Sequence, residues 1–282
     1  LLLAFVIYPL GSGIQSWSDL QTSNLHDVLV SEFKRNLFQT LTHIAVTSLW
    51  VLPVIAAGKM TRVSFAVASG LAHFGLSYWF NYEWVNTAPN GIDGGPLGFL
   101  TWTIPLLAGS LAYDVVREST ALAACRWCLT HGTVLMVLAY LLSSLHLSPI
   151  GWGETSPKIT FELAAPPFVS VETKSPDGNL FTMSQRSGGI TYLIFGAGIS
   201  LAVYALFIAW CDIQGYQLGL FRTLGINALA GYIIHGFVDQ AVSPFVPRDV
   251  PAGVLIASTL AYLWVCYFFL RYLEVKKLFF RL

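Results

Sequence analysis

Asn227, Gly231, His235 and Asp239 stand four residues apart inside one apolar run, a spacing that lines up along one face of an α-helix. A carboxylate one turn from an imidazole can hold its tautomer and raise its basicity, which is what a general base needs. The same pair could instead satisfy itself between two helices, and spacing alone leaves both readings open. A second polar stripe, Gln39, His43 and Thr47, also steps by four, with Thr40 and Trp50 adjacent. It could line a binding site or simply hold helices together. His73 stands by itself on the following run and reads as a satisfied core histidine. These residues matter because a polar group in an apolar run is costly unless it faces a partner, a cavity or a substrate.

The third candidate is the stretch from Asn86 to Asp114, NTAPNGIDGGPLGFLTWTIPLLAGSLAYD. It begins as a polar turn through Pro89-Asn90-Gly91 and Asp93-Gly94-Gly95-Pro96, then becomes apolar for most of the length of a bilayer. Glycines this dense allow tight turns and close approach to the backbone. Asn90, Asp93 and, just inside the run, Trp102 are candidates for the mouth of a site, although a turn that only caps a helix has the same composition.

The elements that must position these residues follow from composition. Of 282 residues, 55% are hydrophobic and 11% charged, against about 25% charged in soluble domains. The charges fall in short stretches between long apolar runs. This predicts an all-α, polytopic integral membrane helix bundle in contact with lipid. About seven full transmembrane helices are expected, near 37–57, 62–80, 97–115, 127–147, 190–211, 220–240 and 252–271, together with the end of one more at Leu1–Leu10. Zero formal net charge argues against nucleic acid as a partner. Cys125 and Cys128 have metal-like spacing, but no second pair or histidine cluster accompanies them, and no metal is expected. No internal repeat of the kind that builds many transporters is visible. The whole chain reads as one transmembrane domain. Its apolar start, with neither methionine nor a basic leader, reads as part of a longer protein.

Lysine and arginine in short loops set the orientation. Lys59, Arg62, Arg117, Arg126, Arg222, Arg271, Lys276, Lys277 and Arg281 gather on one side, which becomes cytoplasmic together with the C-terminus; Lys34 and Arg35 oppose the trend. The Asn86–Pro96 loop then faces outward, as does a long polar segment near 148–189, whose Trp152, Phe161, Phe168 and Phe181 suggest a partial cap over it. His43, His73 and His235 fall in the outer half of the membrane and His131 near the cytoplasmic end. A basic inner side and a His/Asn/Asp-rich outer side suit transfer of a group from an anionic donor to an acceptor across the membrane.

Three segments then carry a family resemblance: Phe38–Ala45 (FQTLTHIA), Gly91–Phe99 (GIDGGPLGF) and Gly225–His235 (GINALAGYIIH). In order and spacing they resemble the heparan-α-glucosaminide N-acetyltransferase-like transmembrane acyltransferases, a bacterial branch rather than the lysosomal one. The resemblance implies acetyl transfer from cytoplasmic acetyl-CoA, as donor substrate, to an amino sugar or other glycan acceptor beyond a bacterial cytoplasmic membrane. It also implies that the family's catalytic histidine, in a loop after the first helix, lies upstream of this chain, with roughly three helices missing. Within the chain, His235, Asp239 and Asp93 are the catalytic candidates. Asn90, Asn227, Gln39, His43 and Trp102 are candidates for the acceptor, and Arg62, Arg117, Arg126 and His131 for the donor. Self-association into a homo-oligomer is left open. The alternatives are a transporter or flippase for a sugar or lipid-linked substrate using the same polar interior, and a structural membrane protein without chemistry.

Overall fold

A computed structural model describes residues 16–22, 24–150, 158–164, 178–217, 219–246 and 250–280. The expected helix end at Leu1–Leu10, with Trp152 and Phe168, lies outside the described residues. The fold is all-α, as the composition predicts. Among the described residues the strands are Leu145–His146 (β1) and Thr160–Phe161 (β2), an antiparallel pair that sets Leu145 opposite Phe161. The helices gather into two compact units, Leu1–Ala209 and Trp210–Leu282.

The first unit opens with short helices α1 (Trp17–Thr22) and α2 (Leu25–Ser31). The Asn24 side chain caps α2 by accepting from the His26 amide. A π-helical turn, Glu32–Asn36, follows, and then α3 (Thr40–Val51), α4 (Lys59–Leu76), a second π turn (Ser77–Asn81) and α5 (Tyr82–Asn86). A 3₁₀ turn at Gly95–Leu97 leads into α6 (Phe99–Glu118). Helix α7 (Ala121–Ser143) starts where the Thr120 hydroxyl accepts from the Ala123 amide, and α8 (Ile190–Phe207) closes the unit.

Against the roughly seven full spans expected, four helices among the described residues are long and apolar enough to cross a membrane: Gly95–Glu118, Ala121–Ser143, Ile190–Ile213 and Ala252–Val275. The run at 37–57 yields a helix of only 12 residues, α3. Pro53, two residues beyond it, has no amide hydrogen with which to extend the ladder, and the chain turns at 52–56 instead. Lys34 explains why it opposes the charge trend. It is buried, with its ammonium over the Trp84 ring and donating to Thr87, and burial lowers its pKa. Topology rules weigh charges left in water, and this one is part of the packing.

Helices α6, α7 and α8 share a core of Ala112, Ala124, Cys128, Leu201 and Ala205, joined by Ile208 just after α8. Small residues let the α7 and α8 backbones meet: a Cβ on Gly132 would lie 2.7 Å from the Gly198 carbonyl oxygen, and one on Gly198 would lie 2.8 Å from the Gly132 carbonyl oxygen. Without a hydrophobic drive between helices in lipid, such close packing holds them together.

The second unit comprises α9 (Gly219–Ile226), α10 (Ala228–Val242) and α11 (Ala252–Val275). The single helix expected at 220–240 is broken at Asn227, whose amide serves the chain's own C-terminal segment. It donates to the Leu278 carbonyl at 3.1 Å and accepts from the Phe280 amide at 3.2 Å. Thr223 donates to Glu274, which also pairs with Arg271. Ala230, Leu270 and Leu273 form the apolar contact between α10 and α11.

Gly132→Ala is therefore expected to destabilise the protein by about 1–3 kcal/mol through overpacking. Gly196→Ala, on α8 with nothing within 4 Å of its Cβ, is expected not to. Thermal unfolding of both variants in the same detergent checks the contrast.

Candidate functional site

The loop that joins α5 to α6 is held in shape by its backbone. Asp93, Gly94 and Gly95 follow one another in the left-handed region, with φ of 54°, 85° and 60°. Aspartate tolerates this conformation better than most side-chain-bearing residues, and glycine carries no penalty there. The Gly94 amide donates to the Arg186 carbonyl. A Cβ on Gly94 would lie 2.8 Å from Gly98 Cα, and one on Gly188 would lie 2.7 Å from Gly94 Cα. The end of the long polar segment is thus pressed against the loop, backbone to backbone. The Thr101 hydroxyl, wholly buried, secures the contact by donating to the Gly188 carbonyl at 2.9 Å. Phe181 packs on Phe74 with ring centroids 5.0 Å apart, and Asn86 donates to Ser187. This part of the 148–189 segment packs as a cap over the loop, whereas Phe161 is exposed.

Polar side chains converge beneath the cap. The Asp93 carboxylate is buried and accepts from Gln185 Nε2 at 3.2 Å. Burial pushes its pKa above the ordinary carboxylate value, and the Gln185 hydrogen bond opposes part of that shift. His43 reaches the loop from α3. Its ring is 0% exposed and lies flat on Trp102, with centroids 5.4 Å apart and planes within 10°. No hydrogen bond of good geometry reaches either ring nitrogen among the described residues, although the Phe38 backbone lies within interacting range of the ring. Its Cε1 lies 2.7 Å from where a Gly98 Cβ would be. His73, from α4, is also buried. Ser77 Oγ lies 3.3 Å from its Nδ1, and its Nε2 lies 3.3 Å from where a Gly94 Cβ would be, without a partner among the described residues. Asn81 donates to the Gly94 carbonyl at 3.4 Å while its Oδ1 has no partner among the described residues. Buried polar atoms in folded proteins are nearly always satisfied, so a cluster of orphans around one loop calls for an explanation.

Several expected site residues therefore come together: His43, Asp93 and Trp102. Asn90 and Gln39 are half-buried beside them; the Gln39 carbonyl accepts from the His43 amide as the first turn of α3. His73, read as a satisfied core histidine, belongs to this cluster with one nitrogen unsatisfied. Asn81 and Gln185 were not anticipated. Asn81 comes into line with His73 through the π turn at Ser77–Asn81, which nothing in the sequence announces, and Gln185 meets Asp93 across 92 residues and leaves no local signal.

The stripe on α10 does not form as expected. Asn227 is buried and bonded to the C-terminal segment, whereas His235 and Asp239 are exposed. The break leaves Asn227 outside α10, while Gly231, His235 and Asp239 still step by four along it, and no hydrogen bond joins His235 to Asp239 among the described residues. His235 packs on Tyr232 instead. The basic residues also divide. Arg62 is buried, ion-paired with Asp114 and donating to Ser110 Oγ at 3.2 Å. Arg117 and Arg126 are exposed. His131 is exposed as well and stacks on Trp127 at 4.1 Å. No group of three or more His, Cys, Asp or Glu side chains suited to a metal occurs among the described residues. Compared with protein-family models, with curated proteins and with solved structures, the chain matches none.

The raised pKa of Asp93 gives a pH signature. The folded state holds this proton more tightly than the unfolded chain, so stability falls as pH rises from the unfolded carboxylate value through the folded one. Asp93→Asn keeps both the acceptor for Gln185 and the left-handed turn. It is expected to raise the melting temperature at neutral pH, with the gain shrinking as the pH is lowered toward 4. Thermal melts across that range check it; a gain independent of pH would show that burial of the charge is not its source.

Proposed function

We propose that the chain is the acceptor-handling part of a membrane-embedded acyltransferase. In this reading an acetyl group passes from acetyl-CoA to an amine or hydroxyl acceptor at the capped loop between α5 and α6. The observation that carries it is His43, fully buried against Trp102 with no well-formed hydrogen bond to either imidazole nitrogen among the described residues. A neutral imidazole in that setting can take a proton from an attacking nucleophile. Helix α6 supports the two-ended arrangement. It begins at the loop and ends 20 residues on at Glu118, about 30 Å away and so near the thickness of the hydrocarbon core. The exposed Arg117 and Arg126 belong to that far end and are free to meet the donor's phosphates. Arg62 does different work, because its charge is already neutralised by Asp114; it braces α4 against α6. The resemblance to heparan-α-glucosaminide N-acetyltransferase-like proteins points to the same reaction, with an amino sugar or related glycan as acceptor.

Protein in lipid nanodiscs, given labelled acetyl-CoA and glucosamine, is expected to form the acetylated sugar. His43→Phe keeps a ring against Trp102 but removes both nitrogens. It is expected to lower turnover by about 10²–10⁴-fold without lowering the melting temperature. Wild-type turnover in His43→Phe together with its loss in His235→Ala would move the chemistry to α10. A melting-temperature rise with the sugar but none with acetyl-CoA, and no product, would favour transport.

A further inference from the structure

Helix α11 ends in a cap that costs backbone strain. The Leu278 amide donates to the Leu273 carbonyl and the Lys277 amide to the Glu274 carbonyl, the paired bonds of a Schellman motif. The residue at the bend of that motif must enter the left-handed region, and glycine or asparagine usually fills it. Here it is Lys277, with φ of 54°, where its Cβ crowds the following carbonyl. Glycine would close the same cap without that cost. A cation near a helix C-terminus does meet the negative end of the dipole, but Arg271 and Lys276 already supply one. The chain past the cap is also held. Asn227, 0% exposed, donates to the Leu278 carbonyl and accepts from the Phe280 amide through the two ends of its carboxamide. A buried side chain thus fixes the segment that carries the strained lysine.

That segment combines unpaired charge with exposed apolar surface. Glu274, in the last turn of α11, is shared by Arg271 at 2.6 Å and Arg222 at 3.9 Å. Lys276 and Lys277 are exposed, and neither pairs with a carboxylate among the described residues. The Lys276 ammonium lies 5.9 Å from the Tyr272 ring centroid. Beside the lysines, Val275, Leu278 and Phe280 are 62%, 51% and 54% exposed. Helix α11 is long and apolar enough to cross a membrane, so its end lies at the level of the lipid headgroups. We infer that the Lys276–Phe280 segment is a docking site for anionic phospholipid. Lys276 and Lys277 take the headgroup phosphate, and the acyl chains cover Val275, Leu278 and Phe280. A zwitterionic lipid carries its own cation beside the phosphate, so only a lipid of net negative charge neutralises the two lysines. The strain at Lys277 is then offset when lipid binds, which glycine at that position could not achieve.

The test uses the full chain in phosphatidylcholine nanodiscs with increasing phosphatidylglycerol, read by melting temperature. The wild type is expected to melt higher as phosphatidylglycerol rises, and less so in high salt. Lys277→Gly relieves the cap, so it is expected to melt above the wild type in phosphatidylcholine alone. It is nevertheless expected to need about fivefold more phosphatidylglycerol to reach half its shift. Lys276→Gln is expected to need about fivefold more as well, with no gain in phosphatidylcholine. Lys59→Gln, which removes an exposed cation of the first unit, is expected to behave as the wild type does. A wild type indifferent to phosphatidylglycerol, or a dependence unchanged in either Lys276→Gln or Lys277→Gly, overturns the site. An equal weakening in Lys59→Gln overturns it by assigning the effect to surface charge at large. An equal rise with inorganic phosphate in phosphatidylcholine nanodiscs overturns it by making the occupant a free anion.

Discussion

The contact on which the polar end of the first unit depends is the apposition of two glycine backbones, Gly94 and Gly188. A side chain on either would force the loop between α5 and α6 away from the turn at 185–188. With them in contact, the Arg186 carbonyl reaches the Gly94 amide, Gln185 reaches Asp93, and Thr101 closes the join. Each of those bonds satisfies a group that hydrocarbon could not. The loop can then be buried, and so can the histidines that abut it. A solvent-exposed loop would leave His43 and His73 to water and would give their unpartnered nitrogens no special meaning.

The membrane setting decides how the remaining polar groups are used. Where a charge lies among apolar helices it is paired across them, as Arg62 is with Asp114 between α4 and α6. Lone hydroxyls turn back on their own helices or onto a neighbour's backbone, as Ser69 does on the Leu100 carbonyl at 2.7 Å. In the second unit Thr223, Arg271 and Glu274 satisfy one another, and Asn227 fastens the C-terminal segment. These groups are occupied by the fold, apart from Arg62 Nε, which has no partner among the described residues. The orphans at His43, His73 and Asn81 differ because nothing within the described residues occupies them.

Much of the fold was legible in the sequence because apolar length is the strongest signal a membrane helix carries; α6, α7, α8 and α11 follow from it. The stripe at Gln39, His43 and Thr47 was legible for a related reason, since its period matches a helix, and His43 and Thr47 are buried as it implies. What escaped depends on contacts distant in sequence or on local winding. Nothing in Ser77–Asn81 announces a π turn, and without it Asn81 would not share a direction with His73. Asn227 looked like one more polar residue on a helix face, but a C-terminal segment 51 residues on uses its amide and the helix stops there. Periodicity could not distinguish a polar residue on a helix from one that ends it.

The same reasoning explains why His73 was the harder residue to read. A histidine with only serines at i±4, Ser69 and Ser77, looks like a core residue satisfied by its own helix, and half of it is: Ser77 serves Nδ1. The other half is decided by what the α5–α6 loop brings to Nε2. That loop brings a glycine in the left-handed region and no donor or acceptor aimed at the ring. A loop built only to cap a helix has no reason to leave two imidazoles and an amide unsatisfied at its inner surface, because each orphan costs on the order of 1–3 kcal/mol.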